Sequence, residues 1–216
     1  TRSVTCVGLD PRKGLLPEPL RQCVSADHPE EWAAVYTQFC KGVIDATSDL
    51  VHCVKPQAAF FEQLRPAGMV ALGEVVAYAR SKGLLVIIDG KRNDIGSTAT
   101  AYAEAYLGAD SPWGGDALTV SPYLGRDSIE PFVEACDSRQ AGIFVLVKTS
   151  NPGGGLLQNR ATEGQTVYGR VAELIRELNS ERTGESGYGP VGAVVGATYP
   201  EELAELRSAM PRSWIL

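Results

Sequence analysis

Leu84-Leu85-Val86-Ile87-Ile88-Asp89-Gly90-Lys91-Arg92-Asn93-Asp94 passes without a break from aliphatic residues into a cluster of charge, and this transition decides how the chain is read. An apolar run without alternation suits a strand covered on both faces, as in a parallel sheet. Comparable runs lie at residues 4–9, 51–54, 117–120, 142–147, 191–195 and 213–216. Between them, stretches such as 31–48, 70–82, 97–107 and 166–179 carry apolar residues at helical spacing, with Glu, Arg and Lys on the other face. The result is a β/α rhythm.

That rhythm fits either a (β/α)8 barrel or a doubly wound sheet. The polar residues that follow the strands favour the barrel: Asp10, Lys55, Asp89 with Lys91, Ser121, and Thr149-Ser150-Asn151. In a barrel these positions converge on one open mouth, where such enzymes keep their sites. The expectation is therefore an α/β fold of (β/α)8 TIM-barrel type, forming one domain over residues 1–216. An eighth strand is missing, so truncation at the C-terminal end is expected. Residues 151–155 and 183–190 are Gly-rich and read as mobile connections within that domain.

Composition narrows the functions. The chain has 216 residues, 44% hydrophobic and 21% charged, enough for one large core, and its net charge is −6. No basic run interleaved with aromatics tracks a phosphate backbone, so nucleic acid is not an expected partner. Cys6, Cys23, Cys40, Cys53 and Cys136 are widely spaced and never form Cys-x-x-Cys, which suggests reduced thiols in a cytoplasmic protein rather than disulfides or zinc. Thr1-Arg2-Ser3-Val4 carries no basic and apolar leader, and no apolar run approaches the roughly 18 residues that cross a bilayer. His28 and His52 match no catalytic pattern and read as surface or packing residues.

The chemistry gathers around the opening stretch. Residues two apart on a strand share a face, so Asp89 and Lys91 are expected to project inward together, with Asp94 on the following turn and Lys55 just past the preceding strand. Alternating charges of this kind hold a lysine protonated against desolvation, ready to act as an acid. A structural salt bridge at a strand end is the plainer reading of Asp-x-Lys alone. Likewise Asp10 before Pro11 suits a turn, Thr98 with Ser97 suits a helix N-cap, and Ser150-Asn151-Pro152-Gly153 is a good turn sequence.

The longer string Asp89-Gly90-Lys91-Arg92-Asn93-Asp94-Ile95-Gly96-Ser97-Thr98 resembles the Asp-x-Lys-x-x-Asp-Ile-x-x-Thr signature of the orotidine 5′-phosphate decarboxylases. Val7-Gly8-Leu9-Asp10-Pro11, Val54-Lys55-Pro56-Gln57 with Ala59-Phe60-Phe61-Glu62, and Val147-Lys148-Thr149-Ser150-Asn151-Pro152-Gly153 extend the likeness in order, in the forms of the longer bacterial branch (type 2). The resemblance implies decarboxylation of orotidine 5′-phosphate to UMP and CO2 in pyrimidine biosynthesis, without metal or cofactor. It implies that Lys91 protonates C6, that Asp89 lies beside the departing carboxylate, and that Lys55 orients Asp89 and contacts the ribose. Asp10 and Thr98 would bind ribose hydroxyls and Ser150 the pyrimidine edge. In a homodimer, Asp94 and Thr98 would reach the partner's site. The family's phosphate loop Pro-Gly-x-Gly-Ala-Gln-Gly and the Arg that follows it do not occur here. The main rivals are related barrels that act on sugar phosphates with Mg²⁺ and share Asp-x-Lys-x-x-Asp but have an acidic ligand where this chain has Lys55. A silent phosphate-ligand binding protein on the same fold is the non-enzymatic alternative.

Overall fold

The computed structural model describes residues 3–216; Thr1 and Arg2, read above as part of a start without a leader, lie outside the described residues. The chain divides into two compact units. One runs up to Gly90 and includes Ser111–Asp116, and the other consists of Lys91–Asp110 and Ala117–Leu216.

In the first unit, β1 (Cys6–Leu9) leads through a short helix α1 (Glu18–Arg21) to α2 (Pro29–Thr47), β2 (Cys53–Pro56), α3 (Ala58–Glu62), α4 (Arg65–Ser81) and β3 (Leu85–Arg92). The last two residues of β3 belong to the second unit. The strands pair in parallel, with Cys6 opposite Cys53 and Leu9 opposite Pro56, then Cys53 opposite Leu85 and Val54 opposite Val86. Pro29 at the helix start, with Glu30 and Glu31 in the first turn, suits the N-terminus of α2. Helices α2 and α4 pack together, burying Tyr36, Cys40 and Ile44 from one and Leu72, Val75 and Val76 from the other. Gly68 makes the α3–α4 junction possible, since a Cβ there would lie 1.8 Å from the Phe61 carbonyl oxygen. The Cys6–Cys53 register brings two thiols together, and the hydrogen bond they share pushes Cys6 up and holds Cys53 down.

In the second unit, α5 (Gly96–Tyr106), β4 (Ala117–Val120), α6 (Arg126–Arg139), β5 (Gly142–Lys148) and a short α7 (Gly155–Gln158) are followed by β6 (Ala161–Thr162) and β7 (Gln165–Thr166). Then come α8 (Val167–Asn179), β8 (Val191–Val195) and α9 (Pro200–Ala209). Strands β4, β5 and β8 are parallel, from Ala117 opposite Gly142 and Ile143 opposite Val191. The expected run at 213–216 continues this pattern: Ile215 bridges Ala193 in parallel, and the Leu216 N–H donates to the Ala193 carbonyl at 2.8 Å. Thr166 caps α8 by accepting from the Gly169 N–H at 3.1 Å. At the other end of α8, buried Asn179 donates to the Val191 carbonyl (2.7 Å) and the Ser213 hydroxyl (2.9 Å) and accepts from the Val191 N–H (3.1 Å).

Several boundaries differ from expectation. Strands β2 and β3 each run further than their apolar runs, so Lys55 and Lys91 lie within strands rather than beyond them. Ladder bonds do not require apolar side chains, and the hydropathy signal stops before the pairing does. The β6–β7 hairpin has no counterpart in the apolar runs. It turns on Glu163 and Gly164, both at positive φ as a type I′ turn requires. The connection at 151–155 is also partly ordered, with a 3-10 turn at Pro152–Gly154 leading into α7.

Candidate active site

The first unit holds a charge pair built by its ladder. Parallel pairing of β2 with β3 continues past Pro56 as a bridge between Gln57 and Asp89, which sets Lys55 alongside Asp89. The Lys55 ammonium donates to Asp89 Oδ2 at 2.7 Å. Asp89 is only 6% exposed. A carboxylate so far from water needs a charged or hydrogen-bonding partner, and this lysine is one. Asp10 follows β1 and is exposed, its Oδ1 3.7 Å from where a Cβ on Gly8 would stand. His28 and His52 are both exposed, as a surface role requires.

The second unit holds the remaining expected residues. Lys91 is exposed and its backbone is left-handed, at φ 46°. The strand alternation that would point Asp89 and Lys91 to the same face therefore stops at Lys91, and the inward projection expected from spacing two apart does not follow from the pleat. Left-handed backbone is sterically unfavourable for a residue with a Cβ, by about 1–2 kcal/mol. It persists here with the Lys91 N–H donating to the Thr119 hydroxyl oxygen at 2.9 Å. The adjacent Arg92 lies over the rings of Tyr102 and Tyr106, at 5.7 and 5.4 Å, and donates to the Tyr106 hydroxyl at 3.2 Å.

Asp94 turns back on its own chain, with Oδ1 accepting from the Ile95 N–H at 2.8 Å. Helix α5 begins at Gly96, so Ser97 and Thr98 lie inside its first turn rather than at the cap, and the N-cap alternative for Thr98 falls away. Thr98 is exposed there.

Ser150 is exposed just past β5, and its backbone is packed closely: a Cβ on Gly196 would lie 2.9 Å from both its Cβ and its N. Flanking bonds shape the turn. Gln158 accepts from the Thr149 N–H at 3.0 Å and donates to its hydroxyl at 2.8 Å, and the Thr149 hydroxyl donates to Asn151 Oδ1 at 2.6 Å.

Two charged residues of this unit escaped the sequence reading. Lys148 is 4% exposed, pairs with Glu202 at 3.3 Å and lies over the rings of Tyr168 and Tyr199. A lysine closing the apolar run 142–147 was the available signal, since lysines are seldom so buried without a charged partner. Glu202, on α9, gave no signal, because its proximity to Lys148 is a product of the tertiary fold.

Parallel strands with helical connections define the class, an enzyme of the β/α-barrel type, and a lysine–aspartate pair joins two of the strands. The particular family follows from comparison with known proteins. A family model described as "Orotidine 5′-phosphate decarboxylase / HUMPS family" matches residues 19–213. The orotidine 5′-phosphate decarboxylase of Rhodopirellula baltica is 69% identical over 220 residues, covering 100% of this chain and 73% of that protein. Its namesake from Deinococcus radiodurans is 45% identical over 216 residues, covering 100% and 72%. Among solved structures, the OMP decarboxylase of Leishmania donovani superposes with a TM-score of 0.80 at 38% identity, covering 99% of this chain and 74% of that one. The chain belongs to the orotidine 5′-phosphate decarboxylase / HUMPS family. The α/β barrel class expected from the sequence is the fold of this group.

Proposed function

We propose that the chain decarboxylates orotidine 5′-phosphate to UMP, with Lys91 as the acid and Asp89 and Lys55 as fixed charges of the site. The observation that carries this is the 2.7 Å Lys55–Asp89 pair, with its carboxylate almost fully buried within β3. In the reaction, the bond between C6 and the carboxylate carbon breaks, CO2 departs, and the electron pair stays on C6. The Lys91 ammonium stabilises that charge and transfers a proton to C6, and the neutral amine regains a proton from solvent. Asp10 and Thr98 bind the ribose hydroxyls, and Ser150 reads the pyrimidine edge. All three are exposed residues next to strand ends or a helix start.

The HUMPS half of the family name is the rival reading. Here Lys55 places an ammonium against Asp89, and a divalent cation bound to that carboxylate would have to displace it against charge repulsion. The test is release of CO2 from orotidine 5′-phosphate by the full-length protein with EDTA present. Undiminished turnover is expected; loss in EDTA with recovery on adding Mg²⁺ would overturn the reading.

We place the work in the cytoplasm, consistent with five free cysteines and with no helix of the described residues being long and apolar enough to cross a membrane. The active form is a homodimer in which Asp94, with Thr98, serves the partner's site across a two-fold interface. Mixing Lys91→Ala and Asp94→Ala variants under subunit exchange should then restore up to about half the activity per mixed dimer, because one of its two sites draws on intact residues from both chains. Parental activity from mixed dimers verified by mass spectrometry would confine Asp94 to its own subunit.

A further inference from the structure

Strand β4 reads Ala117-Leu118-Thr119-Val120, and all four residues are buried. A hydroxyl at 2% exposure in such a strand is unfavourable unless it is hydrogen-bonded. Its oxygen accepts the N–H of Lys91, the residue of β3 whose backbone has left the extended region. An amide rotated away from the sheet ladder needs an acceptor elsewhere, and the Thr119 side chain supplies one at 2.9 Å. One residue later backbone pairing resumes, with the Ser121 N–H donating to the Arg92 carbonyl at 3.0 Å. The Arg92 guanidinium lies over Tyr102 and Tyr106 of α5. Between Asp89 and Asp94 the positive φ falls on Lys91 alone.

We propose that Thr119 is a positioning residue for Lys91: its hydroxyl fixes the left-handed backbone that sets where the ammonium points. This rests on the reading of Lys91 as the proton donor. Left-handed backbone at a non-glycine residue costs about 1–3 kcal/mol, so without its acceptor the segment relaxes towards an extended strand and redirects the side chain. Displacement of a catalytic group by about 1 Å is worth on the order of 10²-fold in rate. At 2% exposure the hydroxyl offers substrate no surface, so the loss is expected on kcat.

The test uses the full-length protein and steady-state CO2 release. Thr119→Val keeps the shape and removes the acceptor, and kcat should fall about 10²-fold with KM within about two-fold of the parent. Thr119→Ser keeps the oxygen and should stay within a few-fold of the parent in both constants. If the valine variant does not fold, Thr119→Ala against Thr119→Ser isolates the same oxygen, with the alanine variant expected to be slower by at least about ten-fold. Equal kcat for the variants with and without the oxygen would overturn the proposal. Amide exchange at Lys91, read by NMR, separates this failure from failure of the functional reading. Loss of protection only where the oxygen is removed, in a parent that releases no CO2, would leave the geometry standing and sink the decarboxylase assignment and the positioning role together. Unchanged protection in an active parent would sink the positioning role alone.

Discussion

Lys55 and Lys91 are both lysines in strands, yet the fold places them by opposite means. Lys55 sits in regular parallel backbone, and the β2–β3 register alone carries it to Asp89. Lys91 sits where the regular backbone gives way, and a hydroxyl from β4 holds its amide. The first arrangement is a consequence of the ladder: any chain that forms these strands puts positions 55 and 89 side by side, and a lysine and an aspartate there can pair. The second has to be specified separately, by residues that do nothing for the hydropathy pattern. Changes around Lys55 should therefore register as lost stability as well as lost rate, and changes around Lys91 as lost rate alone.

The most severe way to test that contrast is Lys91→Ala. General acid catalysis alone is typically worth about 10²–10⁴-fold, so turnover should fall at least that far while the melting temperature stays the same or rises. A variant that keeps more than about a tenth of the parent kcat would exclude Lys91 as the acid. Lys55→Met should do the opposite in the folding assay. It leaves the carboxylate of Asp89 buried without its ammonium, and urea denaturation should show a loss of about 2–4 kcal/mol, discounted because Lys55 is itself partly exposed. A loss below about 0.5 kcal/mol would show that the pair contributes no more than an ordinary surface contact.

Asn179→Leu provides a reference loss in the second unit, where three hydrogen bonds tie the end of α8 to β8 and Ser213. Leaving buried donors and acceptors of that network unmatched should cost about 1–3 kcal/mol, with kcat nearly unchanged in what remains folded. A fall in kcat at full stability would show that this network bears on turnover and blur the comparison. The smallest effect is a chemical one. Burial pushes the thiols of Cys40, in the first unit, and Cys136, in the second, up to about 12. At pH 8 only roughly one in ten thousand of either is thiolate, so both should resist a disulfide reagent that modifies exposed Cys23 at once. Rapid reaction of one of them would mark its unit as the one that opens more readily.

How far the sequence could be read follows the same division. Apolar runs match β1, β2, β4, β5 and β8 to within about two residues but stop four short of the end of β3, and the polar residues after them single out Lys55, Asp89, Lys91 and Asp94 as candidates. What could not be read is whatever depends on departure from regularity. Nothing in Asp89-Gly90-Lys91 announces that the positive φ falls on the lysine, while the neighbouring glycine is spared it. Nothing in Ala117-Leu118-Thr119-Val120 marks its hydroxyl as a partner for a residue 28 positions earlier. The ends of β2 and β3 outrun their apolar residues for a related reason, because a ladder continues after its side chains turn polar.

The backbone at Lys91 also bears on how this protein could be improved. Glycine and asparagine take up a left-handed conformation with much less steric strain than lysine does. A library randomised at this position and sorted only for thermal resistance should therefore enrich Lys91→Gly and Lys91→Asn, and if Lys91 is the acid proposed above, every such winner would be a poor catalyst. Selection for robustness and selection for turnover point to different residues at one position, so a laboratory lineage needs both pressures applied together to keep its lysine.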